Sequence, residues 1–400
     1  MIPRPTAVVF PDNLGAIAAA RELGLAGIPV VVASAKPGPA SRSRFASFLE
    51  TPDLYESTER WAEALCAWAA TQPTKPVLFA SEDAGLLAAE KHHEQLSKYF
   101  LKPHPAPGVI LNVVDKRRLY EAAERCSVGV PASREVTSPE DVKGMRAAGW
   151  LVKPSVRYLL DDKGGVVTFL QATGATKAIG GAPEKAAAEV LQAGFPAILQ
   201  EAVPGPFENL VTLAISIARD GRVLDWFAAR KQYEYPEPFG DGLIVKTIRD
   251  PGLLEPCARL LREIGYWGIC DIEFKKDSRT GEYKILDANP RTWLWLNLGT
   301  RSGHSLLLHA YGQATGLDIK PPAIAPRDRE WVSPRGSIAF LTRCYRPARH
   351  GLLLPLRLMI GAASTILGNW WTFRDPLYLR PSALIGLVRA SNRPRRSSKK

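Results

Sequence analysis

Apolar and polar positions along the first hundred residues follow two alternating rhythms. AVVF (7–10) and IPVVVAS (28–34) are short apolar runs rich in β-branched residues, and Leu14 to Leu25 between them repeats apolar positions at helical spacing after a PDN turn. Strand, helix and strand in that order predict a βαβ unit and a parallel sheet. A helix over 58–70, a strand KPVLFA and a helix over 82–96 extend the same α/β architecture. The first turn has no GxGxxG, so a dinucleotide site there is not expected, and Asp12 and Asn13 read equally well as helix caps or ligand contacts. Ser81, Glu82 and Asp83 stand at a strand's C-terminal end, where open α/β sheets bind ligands and where helices also collect acids and caps.

The rhythm breaks between Pro103 and Pro107, which marks a domain boundary. Beyond it the pattern predicts a helix over 115–127, a REV run, a helix over 139–148 and a short strand WLVKP. A basic, glycine-containing loop over 155–165, a helix over 184–193 and a strand AILQEAV come next. Strands over 210–218 and 223–230, a turn at Gly240 to Gly242, an amphipathic helix over 251–264 and a helix over 305–313 complete the regular part. His304 and His309 lie five apart, a spacing that does not bring two helical ligands to one metal.

Between those last two helices, Trp267 to Arg291 reads as two strands joined by a charged turn over Asp277 to Gly281. Alternation puts Asp271 and Glu273 on one face and Asp287 and Asn289 on one face, and hairpin pairing can bring the four together. Carboxylate and amide oxygens suit a hard cation such as Mg²⁺ that keeps positions open for phosphates. The same acids would also suit a solvated surface hairpin.

Composition narrows this picture. The 46% hydrophobic content of 400 residues supports two or three packed units. Five cysteines, far apart and without a CxxC, favour neither a disulfide framework nor a zinc site and fit a reducing cytosol. MIPRPTAVVFPDN has only four consecutive apolar residues before Pro11, so a secretory signal is not expected. The net charge of +12 is localised: residues 331–400 carry eleven Arg and two Lys against Asp375, while residues 1–330 balance 39 basic against 39 acidic groups. A neutral body gives no reason to expect nucleic acid, and the basic end suits an anionic surface or an acidic partner.

Lys116, Lys153, QEAVPG (200–205) and DIEFK through DANPR (271–291), in that order, resemble the ATP-grasp superfamily. The likeness is to its carboxylate–amine ligase-like members, of the carbamoyl-phosphate synthase and D-Ala-D-Ala ligase type, and covers about residues 6–315. It implies a parallel-sheet pre-ATP-grasp domain over 1–112, two ATP-clamping α+β lobes over 113–202 and 203–325, and an extension over 326–400. By the same resemblance, Lys116 and Lys153 contact the nucleotide phosphates, with Lys153 also near the adenine. Gln200, Glu201 and Val203 form the adenine-reading hinge, and Glu208 holds the ribose. Glu273, Asp287 and Asn289 match the Mg²⁺ ligands, with Mn²⁺ as an alternative ion, and Arg291 faces the reacting group. Many relatives have Glu where Asp287 stands, and the loop after Lys153 is short of glycine, leaving Arg157 and Lys177 as candidates to cover the triphosphate.

The implied activity is ATP-dependent: a carboxylate becomes an acyl phosphate, an amine or similar nucleophile attacks it, and ADP and phosphate leave. An ATP-grasp carboxylase acting on bicarbonate and a non-catalytic ATP-binding scaffold are the alternatives. Residues 352–390 mix Leu, Ile, Trp370, Trp371 and Tyr378 with spaced arginines, and their longest uncharged run, 358–373, falls short of the roughly 20 residues that span a bilayer. The pattern suits either a lid packed on the body or an interfacial helix on an anionic membrane. SNRPRRSSKK reads as a disordered basic tail, and the expected location is the cytoplasm, with the inner membrane face as a peripheral option.

Overall fold

The computed structural model describes residues 4–105, 107–145, 149–168, 183–235, 240–324, 326–373 and 375. Four parallel strands open the chain, β1 (Ala7–Phe10), β2 (Val30–Ser34), β3 (Ala46–Glu50) and β4 (Val77–Ala80), in the order β3-β2-β1-β4. All four residues of β1 are buried, which is why that strand reads as an unbroken apolar run. The helix Leu14–Leu25 starts where Asn13 Oδ1 accepts from the N–H groups of Gly15 at 2.8 Å and Ala16 at 3.1 Å. Asn13 thus acts as a cap. Asp12 accepts backbone N–H bonds from Gly38, Ala40 and Ser41 at 2.6 to 3.0 Å, so it braces the neighbouring loop.

A smaller lobe follows, with β5 (Ser133–Val136), β6 (Trp150–Pro154), a hairpin of β7 (Tyr158–Leu160) and β8 (Val166–Thr168), and β9 (Ala197–Glu201). β9 runs antiparallel between β5 and β6. Two expectations change here. The helix expected over 139–148 is a single turn, Pro139–Val142, because Gly144 takes φ +72 two residues later and turns the chain away. The loop expected over 155–165 contains β7 and leads into β8.

The larger lobe is a six-stranded antiparallel sheet of β10 (Leu210–Ile217), β11 (Val223–Tyr235), β12 (Asp241–Ile248), β13 (Gly268–Lys276), β14 (Tyr283–Asn289) and β15 (Glu330–Val332). Its order is β14-β13-β10-β11-β12-β15. β12 begins where a turn at Gly240 to Gly242 was expected. One face buries Leu213, Ile215 and Ile272 against Leu260 and Leu261 of the helix Leu254–Ile264. Each such leucine contributes about 2 kcal/mol by leaving water. The other face is apolar at one end, where Ala214, Phe227 and Ala229 meet Leu307 and Tyr311 of the helix Leu306–Thr315. At the opposite end it is polar.

The described part of the segment from 326 onward packs on the larger lobe. β15 adds the sixth strand, and Leu354 and Leu358 of the helix Leu354–Phe373 pack on Leu243, Ile244, Val332 and Phe340. Asp375 is buried against the first domain, 2.9 Å from Arg21 Nε, with Ser43 Oγ donating to it at 2.8 Å. The outer side of the long helix and its approach exposes Leu352, Leu353, Leu356, Met359 and Ile360. Among the described residues no helix is long and apolar enough to cross a membrane. The cysteines Cys66, Cys126, Cys257, Cys270 and Cys344 are all free.

Glu22 joins the first domain to the larger lobe. Its carboxylate accepts from Leu307 N at 2.8 Å, Leu308 N at 3.0 Å and Thr300 Oγ1 at 2.9 Å. Burial pushes its carboxyl up to about 7, against those hydrogen bonds. The folded state therefore keeps this proton at pH values where the unfolded chain, with an ordinary carboxyl near 4.5, has lost it. Its stabilisation is complete below pH 4.5 and is lost as pH rises through 7. Relative to Glu22→Gln, the wild type is expected to lose about 3 kcal/mol over that window. Urea unfolding of both proteins at a series of pH values checks this, and a constant difference would refute the assignment.

Candidate active site

The polar end of the large sheet is set by register. β13 pairs with β14 so that Asp271 faces Asn289 and Glu273 faces Asp287, and β10 places Thr212 beside Glu273. Thr212 in turn faces Ala229 of β11, and Lys231 lies two residues further on that face. Four strands thus deliver Lys231, Thr212, Asp271, Glu273, Asp287 and Asn289 to one surface.

Two of the three carboxylates there, Asp287 and Glu273, are paired with cations. Lys116 Nζ, from the first residue of the helix Lys116–Arg125, lies 2.9 Å from Asp287 Oδ1. Arg157 Nη2, just before β7, lies 3.5 Å from Asp287 Oδ2. Lys231 Nζ lies 2.8 Å from Glu273 Oε1. Burial alone would raise the Asp287 carboxyl, but the charges of Lys116, Arg157 and Lys153 outweigh it and hold it well below the usual carboxylate range. Burial likewise opposes ionisation of Glu273, and Lys231 more than offsets it. Asp271 differs: burial and the charge of Glu273 push it up to about 7. It accepts from Thr212 Oγ1 and, at 3.4 Å, from Asn289 Nδ2. It orients the amide while Glu273 and Asp287 carry the charge.

Arg291 closes the cluster toward the first domain. Its Nε lies 2.7 Å from Asp83 Oδ1, at the end of β4, and its Nη2 donates to Asn289 Oδ1 at 3.1 Å. Asp83, Lys116, Arg157, Tyr158 and Asp287 line a narrow cleft. Among the described residues no three His, Cys, Asp or Glu side chains converge as an ion cage. The oxygen set is therefore two ionised carboxylates and one amide, which fits an Mg²⁺ ion whose remaining positions are taken by phosphate oxygens and water.

The other expected residues lie on the neighbouring lobe. Lys153 sits in β6 opposite Ile198 of β9. Gln200 is buried, and its Oε1 accepts from Tyr120 Oη at 2.8 Å, with Leu286 O 3.0 Å from the same hydroxyl. Val203 is buried just beyond β9. The Glu201 carboxylate is held by Lys284 at 3.0 Å and by Arg279. Glu208 is exposed on the turn Phe207–Asn209. Lys177 lies outside the described residues. His304 is structural, with Nδ1 2.8 Å from Asp225 and its ring stacked on Phe227.

Sequence reasoning missed Lys231 and left Asp271 without a role. The signal for Lys231 is weak in one dimension, since its partner is 42 residues away.

No family model matches the chain. The D-aspartate ligase of Enterococcus faecium (strain Aus0004) is 24% identical over 230 residues, 54% of this chain and 53% of that protein. The chain thus spans about half the length of this curated relative. The crystal structure of an L-amino acid ligase from Bacillus licheniformis superimposes with a TM-score of 0.55 at 15% identity, over 80% of this chain and 78% of that one. N5-carboxyaminoimidazole ribonucleotide synthetase in its ADP complex gives 0.61 at 14% identity, over 86% and 85%. At these identities the likeness is one of fold.

Tyr120 spans the two lobes through Gln200 and Leu286. Tyr120→Phe leaves a buried amide oxygen and carbonyl short of a donor, so a loss of about 1–3 kcal/mol is expected. A urea midpoint unchanged from wild type would show that this hydroxyl does not join them.

Proposed function

We propose that this chain, which has the ATP-grasp fold, is an ATP- and Mg²⁺-dependent ligase that joins a carboxylate to an amine or similar nucleophile. One observation supports this most: two adjacent carboxylates, Glu273 and Asp287, kept ionised by cations from different parts of the fold. Glu273, Asp287 and Asn289 would hold Mg²⁺, which when bound neutralises phosphate charge as a Lewis acid. Lys116 and Lys153 would hold the nucleotide phosphates. Gln200, Glu201 and Val203 would border the adenine, and Glu208 the ribose.

In the first step a carboxylate oxygen bonds to the terminal phosphorus and the bond to ADP breaks. Phosphoryl transfer to such an anion depends chiefly on charge neutralisation and alignment. Lys116, Lys153 and Arg291 supply them. An amine nitrogen then attacks the acyl carbon, phosphate leaves with the bonding pair, and the nitrogen gives up its proton. Arg291, with Asp83 beside it, would hold the reacting acyl group at the boundary with the first domain.

A carboxylase acting on bicarbonate would use the same nucleotide site, and a scaffold would bind ATP without turnover. Release of ADP, screened over pairs of carboxylates and amines that include amino acids and bicarbonate, separates the three. With an active pair, Glu273→Ala and Asn289→Ala are expected to abolish ADP formation while the circular dichroism spectrum is retained. Turnover unchanged in both would reject the metal assignment, and silence of the wild type with every pair would favour the scaffold.

A further inference from the structure

A second concentration of positive charge lies away from this cluster. Arg301 ends the helix Asn297–Arg301, whose Thr300 bonds Glu22 of the first domain. Arg301 is only 4% exposed, and its Nη1 is shut off from solvent with no hydrogen-bond partner among the described residues. The charges acting on it most strongly, after burial itself, are those of Arg329 and Arg21, and together these pull its guanidinium down to about 10. Arg329 Nε is likewise shielded and without a partner among the described residues, as are Asn297 Oδ1 and Ser302 Oγ.

The buried acids nearby are committed elsewhere, and Asp328, beside Arg329, is exposed. Asp375 is held by Arg21 at 2.9 Å, and Glu22 by Thr300 and the N–H groups of Leu307 and Leu308. Residues 376–400 contain no Asp or Glu, so the tail has no side-chain carboxylate to bring. A guanidinium does not shed its proton, and burying a charge without a counter-charge is strongly unfavourable. A five-residue helix supplies little compensating dipole.

We propose that Arg301 and Arg329 form an oxyanion site between the helix Leu14–Leu25, the helix Asn297–Arg301 and residues 326–329, which takes a phosphate dianion. Two guanidinium groups match a dianion in charge, and their planar forks match its oxygens. An open groove of about 780 Å³, lined by Asp225, Arg249, Ser302, His304, Arg327 and Asp328 among others, reaches Ser302, the residue after Arg301. The bound anion ties the first domain to the larger lobe. This site shares no residue with the nucleotide cluster and stands independently of the proposed ligase activity.

Free phosphate and the phosphoryl end of a small molecule share this chemistry, so thermal unfolding is followed with inorganic phosphate and with glycerol 3-phosphate, in a chloride buffer of constant ionic strength. The wild type is expected to show a melting temperature that rises and saturates with at least one of them, in the presence and absence of a non-hydrolysable ATP analogue. Lys116→Ala should keep that rise. Arg301→Met should lose it, and in phosphate-free buffer should melt higher than the wild type because an uncompensated buried charge is gone. A rise that persists in Arg301→Met, or one that disappears only in Lys116→Ala, overturns the site. Equilibrium dialysis of the wild type with labelled phosphate and saturating ATP analogue covers the case of a variant that does not fold. One bound equivalent supports the site, and none refutes it.

Discussion

The ion pairs across the large sheet, Lys116 and Arg157 with Asp287 and Lys231 with Glu273, are the interaction on which the arrangement of the lobes turns. β13 and β14 set two carboxylates directly opposite one another, an arrangement that like-charge repulsion opposes. It persists because cations arrive from three places: the helix Lys116–Arg125, the lead-in to β7, and β11. Breaking one partner out of such a buried pair costs far more than the pair itself contributes. Cation delivery from the smaller lobe and ionisation of Asp287 are therefore linked. In the proposed site, Mg²⁺ and the phosphates would take over these pairings.

A second set of contacts binds the first domain to the rest. Glu22 caps the start of the helix Leu306–Thr315, and Arg21 receives Asp375 from the far end of the chain. Asp83 reaches Arg291 from the end of β4. The parallel sheet is thereby fixed against the larger lobe, and the proposed oxyanion site at Arg301 and Arg329 lies in the same seam.

Much of this was legible in the sequence, for physical reasons that differ by element. Buried strands such as β1 and the helix Leu14–Leu25 announce themselves through a continuous apolar run and through apolar positions at helical spacing. The hairpin of β13 and β14 could be read because alternation fixes which of Asp271, Glu273, Asp287 and Asn289 share a face. Gly240 to Gly242 reads as a turn, yet β12 already begins at Asp241, where pairing with β11 outweighs local propensity. β7 and β8, three residues each, are too short to show a period. Lys231 and Arg157 escaped a firm assignment because an ion pair between distant strands leaves no local trace. Asp271 needed burial to be distinguished from its charged neighbour.

Asp287 and Glu273, with Lys116, are proposed as a metal-dependent nucleotide site. Calorimetric titration of the full chain with a non-hydrolysable ATP analogue, with and without Mg²⁺, tests it most directly. The account predicts one site per chain whose affinity depends on Mg²⁺, with that dependence lost in Asp287→Ala. No binding by the wild type, or the same Mg²⁺-dependent affinity in Asp287→Ala, would contradict it.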